Sequence, residues 1–197
     1  GSTECIIGCD YEPQMLESVT VGCVSLTRKF FPDGEVDRSR IDKAVLRARA
    51  AVSPISLAYR RQGWRYAVGT SGTAKSLTQI AQGHFGSAEL TPDVLQRIAT
   101  ELARVGSAER LKLEGLRADR RPVLAGGLAV MMAVFEELGI ESMRYCAGAL
   151  RQGVLYDLLG RDAGADMRQV TVARMTRQYG LDAEQSQRVA RTAQAMH

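Results

Sequence analysis

Apolar positions along the chain change period several times, and each change marks an element. Thr3–Gly8 and Gln14–Val21 alternate or run apolar in short stretches, which predicts two strands around a turn at Asp10-Tyr11-Glu12-Pro13. From Gly22 the pattern becomes helical through Val24, Leu26 and Phe30, and stops at Phe31-Pro32-Asp33-Gly34. Ile41, Val45, Ala48, Val52, Ile55 and Tyr59 then recur at three- and four-residue steps, predicting one long helix from about Arg38 to Arg60. Pro54 is expected to interrupt and kink it.

Trp64–Val68 reads as a short strand feeding Gly69-Thr70-Ser71-Gly72-Thr73, with a helix over Ala74–Gln82 behind it. Thr91-Pro92-Asp93 opens another helix with a capping hydroxyl and a first-turn proline, closed by Gly106. Arg121–Leu138 is a helix with nearly continuous apolar character, Ser142–Cys146 a last strand, and Gly148–Leu159 a helix. After a polar break at Asp162–Ala165 come two amphipathic helices, Met167–Tyr179 and Asp182–Met196. The order implies an α/β unit with a helical addition, and no internal repeat.

Composition narrows the chemistry more than the fold. The 197 residues carry 45% hydrophobic and 24% charged side chains, the balance of a water-soluble domain, and the longest apolar run is too short to cross a bilayer. Only two histidines are present, and the four cysteines (Cys5, Cys9, Cys23, Cys146) have no metal-ligand spacing. A zinc centre and a histidine-activated nucleophile are therefore not expected, and the cysteines read as reduced, which suggests the cytoplasm. A net charge of +4 leans weakly toward an anionic ligand, with nothing to suggest a nucleic-acid polymer.

Four segments could carry chemistry. Gly1-Ser2-Thr3-Glu4 places small residues, two hydroxyls and a carboxylate before an apolar strand, as in a loop that brings backbone N–H groups to a phosphate and a cation. Chains rarely start inside such a loop, so the sequence reads as a fragment, although Gly-Ser is equally what a cloning scar leaves. Gly69–Ser76 is a strand–glycine loop–helix junction, where first-turn N–H groups and Lys75 can meet an anion. It misses a Walker A loop by Ala74 in place of glycine, which argues against a P-loop nucleotidase. A plain tight turn whose Ser and Thr simply cap the helix is the bland alternative. Arg117, Arg120 and Arg121 precede Ala125-Gly126-Gly127. Glycines inside a helix are costly, by about 1 kcal/mol each against alanine, and so imply a close approach. The arginines themselves read more simply as a solvated cluster. Last comes Arg144–Gly153, a strand end turning into a helix, with Arg144 and Arg151 as possible cleft residues. Three of these glycine-bearing turns would fall at one edge of a single sheet, where open α/β sheets bind ligands.

In this order the segments resemble the Ppx/GppA family of exopolyphosphatases and guanosine pentaphosphate phosphohydrolases. The carrying stretches are Gly1–Glu4, Val21–Leu26, Gln62-Gly63-Trp64, Gly69–Lys75, Leu124–Ala129 and Gly148–Tyr156, so the likeness covers nearly the whole chain. It also makes Gly1–Glu4 look like the tail of the family's glycine loop and not a scar. The resemblance implies an actin-like, ribonuclease-H-like α/β fold with a mixed sheet flanked by helices. Residues 1–160 would be the second of two such domains, and 163–197 the first helices of a C-terminal helical domain.

By the family pattern, Gly1, Ser2, Thr3, Gly72, Thr73, Lys75 and Arg144 would bind phosphate or substrate, and Glu4 would be catalytic and hold Mg2+. The first domain, with its general base, and the aspartate before the glycine loop would lie outside this chain, so the fragment alone is expected to be inactive. The implied partner is inorganic polyphosphate or guanosine pentaphosphate, and the implied assembly a homodimer. A phosphate-binding module without catalysis is the alternative from another class. Cys146-Ala147 and Gln152 replace residues that are acidic or serine in many members, which puts any role of those positions in doubt.

Overall fold

The computed structural model describes residues 1–9, 12–148, 150–162, 172–173, 176 and 179–196. Two compact units divide it, Gly1–Ala147 and Gly148–His197.

The first unit begins with a hairpin. Strand β1 (Thr3–Cys9) pairs antiparallel with β2 (Glu12–Val19), Thr3 opposite Val19 and Ile6 opposite Leu16, with an irregularity between Ile7 and Gly8. The period of two sends Cys5 and Ile7 inward and leaves Glu4 and Ile6 outward. Of the predicted turn, Asp10 and Tyr11 lie outside the described residues. Helix α1 (Cys23–Phe30) follows, then α2 (Arg38–Gln62), capped by Asp37 accepting from the Arg40 N–H at 2.8 Å and ended by Gly63 at φ 68°. The expected break at Pro54 does not occur, and α2 is one continuous helix. Pro54 and Ala50 are both exposed, so water can meet the carbonyl that loses its N–H donor.

Strand β3 (Ala67–Gly69) leads into α3 (Gly72–Phe85), which is followed by α4 (Pro92–Val105) with Thr91 as its cap. The helix predicted from Arg121 starts instead as a 3-10 turn, Ala118–Val123, because Pro122 donates no N–H; the α-helix α5 spans Leu124–Leu138. Strand β4 (Met143–Tyr145) pairs parallel with β3, Ala67 opposite Met143 and Gly69 opposite Tyr145.

Helix α5 is the hub of the unit. Every residue from Leu124 to Phe135 is buried, as expected of a helix apolar on all sides, and it packs against α1, α2 and α4. Arg60 near the end of α2 donates to the Glu136 and Glu137 carbonyls at 2.6 and 2.7 Å, satisfying acceptors in the last turn of α5. The hairpin is fastened to α2 by the buried Tyr59 hydroxyl, which donates to the Cys5 carbonyl at 2.6 Å. Among the described residues the strands form two separate two-stranded sheets and not the single sheet the turns implied. The residues that face one another are therefore set by helix packing instead of by one strand ladder.

In the second unit, α6 spans Leu150–Asp162 and α7 spans Ala183–Ala195, the latter capped by Asp182 accepting from the Gln185 N–H at 3.0 Å. Most of the predicted helix Met167–Tyr179, and the polar break after Asp162, lie outside the described residues.

Candidate anion-binding site

The first residues of β1 are pinned to the start of α1. The Thr3 hydroxyl donates to the Val21 carbonyl at 2.7 Å. Gly1 lies so close to Gly22 that a Cβ on Gly22 would sit 2.9 Å from the Gly1 carbonyl carbon. Ser2 is exposed and its hydroxyl donates to the Glu4 carboxylate, which also accepts from Ser18 at 3.5 Å across the hairpin. Glu4 thus stands on the outward face, anchored by two hydroxyls. The Thr3 side chain is committed to the main chain, which leaves Thr3 its backbone for any ligand.

The glycines of α5 explain themselves at the next step. A Cβ on Gly126 would lie 2.3 Å from the Cys23 carbonyl oxygen and 2.8 Å from the Thr27 nitrogen. On Gly127 it would lie 2.8 Å from Thr73 Cγ2 and 3.5 Å from Cys23 Cβ. The first turn of α1 and the first turn of α3 therefore both rest on this one glycine pair. With Gly1 against Gly22, a continuous chain of contacts links the N-terminal loop to Thr73.

The α3 end of that chain is built for close approach. Gly69 and Gly72 do not have left-handed backbones; what they supply is space. A Cβ on Gly69 would meet Ala74 Cβ at 2.6 Å and Met143 Sδ at 2.8 Å. Ser71 accepts from the Ala74 N–H at 3.1 Å and caps the helix, which starts at Gly72, two residues before the expected Ala74. The Gly72 and Thr73 N–H groups have no acceptor within the helix, the condition that makes a helix start attractive to anions.

Arg120 adds a full charge there. Its guanidinium covers Gly72, with Nη1 2.9 Å from where a Cβ would be, and it lies 3.6 Å from Asp119. By sequence alone Arg117, Arg120 and Arg121 read alike, as a solvated cluster. The structure separates them: Arg117 pairs with Asp119 at 3.0 Å, Arg121 buries its Nε without a partner among the described residues, and Arg120 covers the α3 start. The available signal was position, since the cluster directly precedes the helix that carries Gly126-Gly127.

Lys75 and Arg144 share a neighbouring open cleft of about 370 Å³, lined also by Thr78, Gln79, Gln82 and Tyr145. Arg144 Nε meets Glu89 Oε1 at 2.5 Å. Hydrogen bonds from Ser142 first and Arg144 second hold the Glu89 carboxyl below the usual range, so it is ionised at neutral pH. Thr78 is 4% exposed, and its hydroxyl has no partner among the described residues. Cys146 and Ala147, just past β4, are exposed. The four cysteines form no disulfide.

These groups are backbone donors and cations, the chemistry that oxyanions accept. A hard cation such as Mg2+ is commonly held by one or two carboxylates together with phosphate oxygens. Glu4, exposed and oriented by Ser2 and Ser18, fits the role of one such ligand; no group of three or more candidate metal ligands occurs among the described residues.

The description "Ppx/GppA phosphatase family" matches residues 1–162. The chain is 40% identical over 192 residues to the guanosine-5'-triphosphate,3'-diphosphate pyrophosphatase of Aeromonas hydrophila subsp. hydrophila, covering 98% of this chain and 39% of that relative. It thus spans about two fifths of the relative's length. The solved structure of the Aquifex aeolicus Ppx-GppA enzyme superposes with a TM-score of 0.65 at 19% identity, over 79% of this chain and 53% of that one. An exopolyphosphatase from Cytophaga hutchinsonii gives 0.66 at 20% identity, over 81% and 54%. At these identities the two structures speak for the fold, which is the actin-like α/β fold.

Proposed function

This chain belongs to the Ppx/GppA phosphatase family, and from that premise we propose that it forms the phosphate-holding wall of an exopolyphosphatase that releases the terminal phosphate of inorganic polyphosphate. The observation that supports this reading is the glycine-mediated packing, a chain of contacts running from Gly1 through Gly22 and the α5 glycines to Thr73, with Arg120 over Gly72.

In the proposed mechanism water attacks the terminal phosphorus in line, and the anhydride oxygen leaves with the shortened chain. Backbone N–H groups of Gly1 and Ser2, with those of Gly72 and Thr73, receive the oxygens on which charge accumulates. Lys75 and Arg144 hold the next phosphates, so the reacting group is positioned by binding energy made elsewhere. Glu4 orients the attacking water and would be the residue that holds Mg2+, which when bound would supply neutralisation of phosphate charge. The general base is expected from a preceding domain.

A second reading, hydrolysis of guanosine pentaphosphate at its terminal 5'-phosphate, is favoured by the name of the Aeromonas relative. Residues 1–160 are proposed as the second actin-like domain and 163–197 as the opening of a helical domain, in a cytoplasmic homodimer. The test is phosphate release from long-chain polyphosphate and from guanosine pentaphosphate, by the whole protein and by residues 1–197 alone. The whole protein should turn over with Mg2+ and the 197-residue chain should not. Robust turnover by the short chain would refute the one-wall assignment, and the preferred substrate decides between the two readings.

A further inference from the structure

One of the two cations lining the Lys75–Arg144 cleft is paired with an acidic group, Glu89, that no phosphate reading requires. Glu89 and Arg144 flank a two-way backbone bridge: Leu90 N–H to Met143 O and Met143 N–H to Leu90 O, both 2.9 Å. Leu90 and Met143 are buried, so the bridge holds their neighbours side by side. Glu89 is the less accessible partner, its side chain 27% exposed against 76% for Arg144. Ser142, one residue before the bridge, also bonds the carboxylate. Lys75 and Arg144 are the two cations lining the cleft.

We propose that Glu89 is a specificity-determining residue which occupies Arg144 and thereby limits how much negative charge this cleft accepts. The inference rests on the reading that Lys75 and Arg144 hold substrate phosphates. The two lining cations together with the Glu89 carboxylate paired to Arg144 carry one net positive charge, where the cations alone would carry two. An incoming anion must share Arg144 with a fixed carboxylate and lie near that carboxylate's charge. The penalty scales with the charge of the anion, so it is small for a single phosphate and larger for a polyphosphate tail. A purely structural Glu89 has no such charge dependence.

The experiment is calorimetric binding of inorganic phosphate and tripolyphosphate to the whole protein and to its Glu89→Gln variant, at low and physiological salt. Coulomb interactions at screened, solvent-facing distances give an expected tightening for tripolyphosphate of about three- to tenfold at low salt, shrinking at physiological salt. For inorganic phosphate the expected gain is below about twofold. In an Arg144→Ala background the Glu89→Gln gain should shrink, because the part that comes from freeing Arg144 is gone and only the carboxylate's direct repulsion remains; an undiminished gain overturns the proposal. Weaker or unchanged tripolyphosphate binding by Glu89→Gln overturns the proposal, as does an equal gain for both anions. Lys75→Ala and Arg144→Ala separate the two levels. If they weaken tripolyphosphate binding while Glu89→Gln fails to tighten it, only the Glu89 assignment falls; if neither weakens it, the phosphate reading of the cleft falls as well.

Discussion

Replacing Gly126 by alanine sets two opposed effects against each other in α5. Helix propensity favours alanine by about 1 kcal/mol at an interior position. Packing opposes it, because the new Cβ would stand 2.3 Å from the Cys23 carbonyl oxygen, 2.4 Å from Thr27 Oγ1 and 2.8 Å from the Thr27 nitrogen. Two of these three atoms are backbone and cannot rotate away. The relief available is for α1 to move off α5, which opens buried contacts along their whole interface. Overpacking of this kind typically costs about 1–3 kcal/mol, and backbone obstacles place it at the upper end. The expected net effect of Gly126→Ala is destabilisation by roughly 1–2 kcal/mol, or a fall in Tm of about 3–6 °C for a chain of this size. Urea unfolding followed by circular dichroism should show a lower midpoint with an unchanged slope. Anion binding should weaken too, since the Gly22–Cys23 turn moves with α1. Gly153, inside α6, is the control: nothing lies within 4 Å of its would-be Cβ. There alanine should raise helicity. An unchanged or increased stability for Gly126→Ala would show that the tight α1–α5 contact is not what the glycine is for, and would remove the packing argument for the chain of contacts from Gly1 to Thr73.

Tyr59→Phe should destabilise the first unit by about 1–3 kcal/mol, measured by thermal melting, because it leaves the buried Cys5 carbonyl without its donor. Burial first, and then the nearby Cys5 and Glu17, push the Tyr59 hydroxyl up from 10.0 to about 12. A raised value means the folded state keeps the proton longer, so this stabilisation is complete below pH 10 and is lost as pH climbs through about 12. At about 1.4 kcal/mol per pH unit the loss amounts to roughly 2–3 kcal/mol, and Tyr59→Phe should flatten that part of the stability profile. Lys75→Ala should weaken polyphosphate binding while changing stability by less than about 0.5 kcal/mol; a large fall in Tm would mark Lys75 as structural instead.

Period and punctuation along the chain determined the hairpin, α2, α4 and the buried α5, because each depends on residues close in sequence. Ser71, Thr91 and Asp182 cap helices where capping chemistry places them, and Gly63 and Gly106 close helices where left-handed glycines do. The cost of Gly126-Gly127 was also legible, as a demand for close approach by something unspecified. Only tertiary packing identified that something as Cys23 and Thr73, residues about a hundred and about fifty positions away. It alone separated Arg120 from Arg117 and Arg121, since a charge one residue along is indistinguishable until Gly72 is placed beneath it. It also set Glu89 on Arg144. Local sequence fixes which elements form, because hydrogen bonding and side-chain periodicity act over a few residues. Which of their ends meet is decided by burial summed over the whole unit, and no single stretch of the chain carries that sum.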